Sequence, residues 1–223
     1  MEYGPASSDP ASEGDAGEDE YTEEVMTNVV IIGDSWMAGN NAIATQLAEL
    51  TGYRYRSYAR DGARVLVSQP TSIPEMWEVA MQDDPQIDTV LMSGGINDQL
   101  RRSEIRAACL EAGRPGPACQ EELFAAILDA LTALWSAMAG AGVRDVVYVQ
   151  FSTGAEEFGF PAGNGDDVAS RCAKVAGARC HLLRTSALVQ RHPLVDGLHP
   201  PIDGYRSIAV ALLEQLAAGG IAH

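Results

Sequence analysis

Asn28-Val29-Val30-Ile31-Ile32-Gly33-Asp34-Ser35 is the stretch on which the fold turns. Val29 to Ile32 are all β-branched and show no alternation of polar and apolar positions. A strand of this kind needs cover on both faces, which places it in the interior of a parallel sheet. Gly33 ends the run, and a helical pattern follows from about Ala38 to Leu50. Further out, Tyr53 to Tyr58 reads as a second strand, with Tyr53, Tyr55 and Ser57 on one face and Arg54, Arg56 and Tyr58 on the other. That mixed polarity suits a position nearer the sheet edge. Asp88 to Met92, Asp145 to Val149 and Cys180 to Leu183 read as three more strands. Between them Leu123, Ile127, Leu128, Leu131, Leu134, Trp135 and Met138 recur at helical spacing, and Tyr205, Ile208, Ala209, Leu212, Leu213 and Leu216 form one stripe on a last helix. Strands separated by helices need crossover connections. The expected class is therefore α/β, a central five-stranded parallel sheet with helices on both faces.

The chain has 223 residues, enough for one sizeable core. Its formal net charge is −16, and a polyanion of that size repels phosphate backbones and anionic lipid, so nucleic-acid binding is not expected. Nine of the 31 acidic residues fall within the first 24 positions, which hold no Lys or Arg. That segment lacks apolar periodicity and cannot bury enough surface to offset its ordering entropy. Residues 1–25 are expected to be a disordered acidic tether, and residues 26–223 a single domain. No integral membrane segment is expected, since no stretch reads as the run of about 20 apolar residues that spans a bilayer. Nor does Met1 lead into the basic and then apolar pattern of a signal peptide, which is expected to be absent or already removed.

Cys109 and Cys119 are ten positions apart and Cys172 and Cys180 eight apart, each pair around a glycine-containing loop. Four cysteines allow three connectivities, of which 109–119 with 172–180 is preferred. Four free thiols in a reduced compartment, and a zinc site, stand as alternatives. Zinc is the weakest, because neither pair has tight metal-ligand spacing. Two local bridges would place the chain in an oxidising space: secreted, periplasmic or surface-anchored. Reduced cysteines would place it in the cytoplasm.

Ligands of open parallel sheets sit beyond the carboxyl ends of the strands. Polar clusters fall there after four strands: Gly33-Asp34-Ser35, Arg60-Asp61-Gly62, Gly94-Gly95-Ile96-Asn97-Asp98, and Asp196-Gly197-Leu198-His199 beyond the fifth. Each alone reads equally as turn chemistry. Together they offer a hydroxyl nucleophile, an imidazole base, an orienting carboxylate and donors for an oxyanion. Of four histidines, His199 is the one with an acid three residues before it. Asp34 and Asp98 are expected to brace loops through hydrogen bonds, and a metal held by Asp34, Asp98 and Asp196 ranks far lower.

From Val29 to the last helix these blocks resemble the SGNH hydrolases, the GDSL-type esterases and lipases. Gly33-Asp34-Ser35 resembles the nucleophile block, Gly62 the isolated glycine, Gly95-Ile96-Asn97-Asp98 the G-x-N-D block and Asp196 to His199 the D-x-x-H block. The order agrees throughout; Trp36 departs from the family's leucine. The resemblance implies a flavodoxin-like three-layer α/β/α sandwich. It implies a serine ester hydrolase in which Ser35, Asp196 and His199 are catalytic and Ser35, Gly62 and Asn97 form the oxyanion hole, with Gly62 required for close backbone approach. No cofactor and no metal are implied. Trp36, Met37, Phe158 and Phe160 are candidate walls of a substrate pocket, although all four could equally pack in the core. The expected partner is a small-molecule or glycan ester, with small-acyl, aryl and acetylated-glycan esters in view, and a monomer is favoured. An O-acyltransferase using the same triad, or a catalytically silent glycan-binding module, are the alternative functions.

Overall fold

The computed structural model describes residues 25–66, 72–100, 107, 111–113, 116–151 and 164–221. Most of the expected tether, residues 1–24, lies outside them, and the first strand already begins at Val25. The elements run β1 (Val25–Ile32), α1 (Ile43–Thr51), β2 (Arg54–Ser57), α2 (Ile73–Asp83), β3 (Thr89–Met92) and α3 (Ile96–Leu100). They continue through α4 (Gly116–Gly140), β4 (Asp145–Gln150), α5 (Asn164–Cys172), β5 (Arg179–Arg184), α6 (Ser186–Arg191) and α7 (Ile202–Ala218).

Helices cover both faces of a parallel sheet, as the unbroken apolar runs require. Among the described residues five strands form one ladder in the order β2-β1-β3-β4-β5, all pairs parallel. The expected five-stranded sheet is nevertheless corrected: the three-layer sandwich with a parallel sheet stands, but with six strands, not five. The physical reason is that the sequence reading counted apolar β-branched runs, and β pairing does not need one. Outside the named strands a parallel bridge joins Arg64 to Ser72, a pairing that the expected strands did not include.

Burial follows position in the ladder. Every residue of β3 and β4 is buried, whereas β2, at the edge, alternates between exposed and covered, as its mixed composition suggested. Strand residues divide by parity. Val30, Ile32, Val90, Met92, Val146 and Tyr148 pack with residues of α2, α4 and α5, while Val29, Ile31, Leu91, Val147 and Val149 pack with α1 and α7. The helix expected from Ala38 starts instead at Ile43. Met37 N–H and Ala38 N–H both donate to the Asp34 carbonyl, at 2.9 and 3.0 Å, and this tight turn takes up the intervening chain.

The expectation that no stretch reaches membrane-spanning length is corrected. Within α4, Glu121–Gly140 has a mean hydropathy of 1.6 and is long and apolar enough to cross a membrane by length and composition. The sequence reading saw only its periodicity. In the fold Ile127, Leu131, Trp135 and Met138 on that helix are buried in the core against the sheet. Cys172 and Cys180 form the expected disulfide, joining the end of α5 to β5. Cys119 is also disulfide-bonded, and Cys109 lies outside the described residues.

Candidate functional site

The strand order contains a switch: after β1 the chain moves outward to β2, then crosses back to place β3 on the other side of β1. The chain leaving β1 leads to α1 on one face and the chain leaving β3 to α4 on the other, and such a switch is where ligands of open parallel sheets sit. Ser35 follows β1 and Asn97 follows β3, so both lie at this switch.

The β1 turn is held from several directions. Ser93 Oγ donates to Asp34 Oδ1 at 2.6 Å, and Trp36 N–H donates to the same oxygen at 3.1 Å. Gly33 has φ +138°, and a Cβ there would lie 2.8 Å from the Ser93 carbonyl oxygen, so only glycine lets β1 and the β3 loop approach this closely. Burial pushes the Asp34 carboxyl above its ordinary value, against the opposing pull of the Ser93 and Trp36 hydrogen bonds. Asp98 is also raised by burial and accepts from Val65 N–H at 2.9 Å and Leu66 N–H at 3.0 Å. Both carboxylates thus brace loops. Among the described residues no group of three His, Cys, Asp or Glu is placed to hold a metal ion.

The loop after β2 is pinned between these turns. Arg60 N–H donates to the Gly33 carbonyl at 2.9 Å, and Asn97 Nδ2 donates to the Ala63 carbonyl at 3.0 Å. Asn97 therefore reaches the residue next to Gly62. Gly62 itself has φ +72°, and a Cβ there would meet nothing within 4 Å. This left-handed backbone is itself a reason for glycine at 62.

The last cluster arrives between α6 and α7. Asp196 Oδ1 accepts from the N–H groups of Leu198 and His199 at 2.9 and 2.7 Å, which curls the loop. Its Oδ2 lies 2.7 Å from His199 Nδ1, and His199 Nε2 lies 2.8 Å from Ser35 Oγ. The His199 hydrogen bond, foremost among several, holds the Asp196 carboxyl down to about 2. With the imidazole proton on Nδ1, facing the carboxylate, Nε2 is free to accept the Ser35 hydroxyl proton. Ser35 and His199 are partly exposed and open to a reactant.

Trp36 and Met37, candidate pocket walls, are buried at 1% and 0% exposure. The Trp36 ring packs on Phe151 and Tyr205, and its Nε1–H donates to the Leu198 carbonyl at 2.9 Å. Phe158 and Phe160 lie outside the described residues. Sequence reasoning missed Ser93, which stands next to the Gly94-Gly95 pair and supports Asp34 from β3, and Tyr148, whose hydroxyl donates to the Gly94 carbonyl at 2.6 Å. The clue for Ser93 was its place immediately after a fully buried strand.

No family model matches the sequence, and no curated protein matches it. Solved structures do match the fold. A catalytic mutant of an acetylxylan esterase from Geobacillus stearothermophilus is similar with a TM-score of 0.60 at 17% identity, covering 86% of this chain and 94% of that one. An acetyl xylan esterase from Butyrivibrio proteoclasticus is similar with a TM-score of 0.55 at 12% identity; the match covers 89% of this chain but only 64% of that protein. A protein from Slackia heliotrinireducens with a provisional SGNH hydrolase assignment gives a TM-score of 0.51 at 19% identity, covering 87% of this chain and 99% of its own. At such identities the likeness is one of fold: this chain has the three-layer α/β/α architecture that these hydrolases share.

Proposed function

We propose that this protein is a serine ester hydrolase of the SGNH type, acting through an acyl-enzyme on Ser35. The observation that carries the reading is the relay Ser35 Oγ to His199 Nε2 at 2.8 Å and His199 Nδ1 to Asp196 Oδ2 at 2.7 Å, assembled from residues 164 positions apart.

In this reading His199 takes the hydroxyl proton as Ser35 Oγ bonds to the acyl carbon, and Asp196 stabilises the imidazolium. The negative charge that builds on the carbonyl oxygen is met by the backbone N–H groups of Ser35 and Gly62 and by Asn97 Nδ2. Collapse of the tetrahedral adduct breaks the ester C–O bond, and His199 returns the proton to the leaving alkoxide. Water then repeats the sequence and restores Ser35. Two of the similar folds belong to acetylxylan esterases, which favours acetyl groups on a glycan as the substrate class. The Cys172–Cys180 bridge suits an oxidising compartment, in keeping with an exported protein.

The test is labelling of the full chain with an organophosphorus serine reagent, followed by peptide mass mapping and an assay on an aryl acetate. Label confined to Ser35, with loss of label and of hydrolysis in Ser35→Ala, is expected. Absence of label, or label on another residue, overturns the mechanism. Transfer of the acyl group to a sugar alcohol faster than to water would assign the same relay to an acyltransferase.

A further inference from the structure

The residue after Ser35 is a tryptophan with almost no contact with water, 1% exposed. A buried indole has one N–H that needs an acceptor. Here the acceptor is the Leu198 carbonyl, 2.9 Å away and 162 positions along the chain, on the peptide that leads into His199. The ring is fixed from the sides by Phe151, with centroids 4.7 Å apart, and by Tyr205 at 6.2 Å. Its own backbone N–H is held by Asp34 Oδ1, which Ser93 Oγ holds in turn. A continuous path therefore runs from β3 through Ser93, Asp34 and Trp36 to Leu198, behind the contact between Ser35 and His199.

We propose that the Trp36 indole is a positioning residue, a strut that holds the His199 loop where its imidazole meets the Ser35 hydroxyl; this rests on the serine-hydrolase reading above. The loop is shaped by its own bonds, Asp196 to the Leu198 and His199 N–H groups and Val195 N–H to the His199 carbonyl, but these lie within the loop. Among the described residues, the hydrogen bonds from this loop to the turn after β1 are the Ser35–His199 contact and the indole. Val195 is 70% exposed, and the loop's apolar contacts with the core come from Leu194 and Leu198, both partly buried. A strut acts on position rather than charge. Removing it lowers the fraction of molecules in which proton transfer can occur, so kcat falls while KM and the midpoint of the pH–kcat profile stay in place.

The experiment compares wild type, Trp36→Phe and Phe151→Leu on an aryl acetate across pH, with Tm measured alongside. Trp36→Phe keeps a ring against Phe151 and Tyr205 but removes the N–H; kcat is expected to fall about tenfold, with KM within about twofold and an unmoved midpoint. Phe151→Leu loosens the same packing and keeps the N–H; it is expected to lower Tm at least as far with kcat within about twofold. A Trp36→Phe kcat within about twofold of wild type overturns the proposal. So does an equal loss in Phe151→Leu, which would assign the effect to packing. Failure of the hydrolase reading is seen separately, as wild type that takes no label on Ser35. In that event, or if Trp36→Phe does not fold, exchange of the Trp36 indole proton decides the strut: slow exchange in wild type supports it, and exchange as fast as that of a solvent-exposed indole overturns it.

Discussion

Two histidine–aspartate pairs stand at opposite rims of the same sheet in different surroundings. At the amino-terminal rim Asp145, the first residue of β4, lies 2.9 Å from His181 Nε2 and 2.7 Å from Arg179 Nη2. That carboxylate is buried and already faces a guanidinium, so it clasps β4 to β5. At the carboxyl rim Asp196 is more than half exposed and serves one imidazole, whose other nitrogen faces a hydroxyl. His192 offers a third case. Its Nε2 lies 3.0 Å from Ser207 Oγ, but that hydroxyl donates to the Asp203 carbonyl at 2.8 Å, so its proton is directed into the helix backbone. A His–Asp or His–Ser contact is thus no site by itself. The third partner, and where the hydroxyl proton points, separates a proton relay from a clasp.

The comparison breaks most plainly at the two histidines. His199→Ala is expected to cut kcat on an aryl acetate about 10⁴–10⁶-fold, and His181→Ala to leave it within about twofold; steady-state kinetics with purified variants decide. Comparable losses in both would dissolve the distinction between the rims. Next in size, Asn97→Ala is expected to lower kcat about 10²–10³-fold if its amide meets the oxyanion, with folding checked by circular dichroism. Unchanged kcat would reduce Asn97 to a tie between α3 and the Ala63 carbonyl.

Stability should respond at the other end of the molecule. Replacing Cys172 and Cys180 together by alanine, which opens a loop of eight residues, is expected to cost about 2–3 kcal/mol in urea unfolding. Asp145→Ala should cost about 1–3 kcal/mol and leave kcat intact, because buried hydrogen bonds are lost far from Ser35. The smallest effect concerns acid. Asp196 titrates at about 2 in the folded chain against an ordinary 3.8, so the fold favours the carboxylate. Its contribution is complete above the ordinary value and is lost as pH falls through the folded value. Asp196→Asn should therefore flatten the fall of Tm between about pH 4 and pH 2; an unaltered slope would show that His199 exerts no such hold.

Much of the architecture was legible because apolarity is a local signal. β1, β3 and β4 announce themselves through short apolar runs, and the mixed faces of β2 foretold its edge position. The same method counted one strand too few, and it began α1 five residues early because a tight turn and a helix start share short-range spacing. At the site, the four polar clusters were visible as residues following strands. The elimination of the other histidines was weaker than its outcome: His181 does have a carboxylate, Asp145, but 36 positions away, where a search for an acid three residues before a histidine does not look.

Side-chain chemistry along the chain thus determined which segments become strands, which helices cover them and where polar groups gather, since each depends on neighbours a few residues apart. Only the tertiary structure decided which imidazole faces which hydroxyl, that the Trp36 ring turns inward to meet the Leu198 carbonyl, and that Asp145 joins Arg179 and His181. Those pairings depend on the order in which parallel strands lie side by side, and that order brings together groups that the sequence holds far apart.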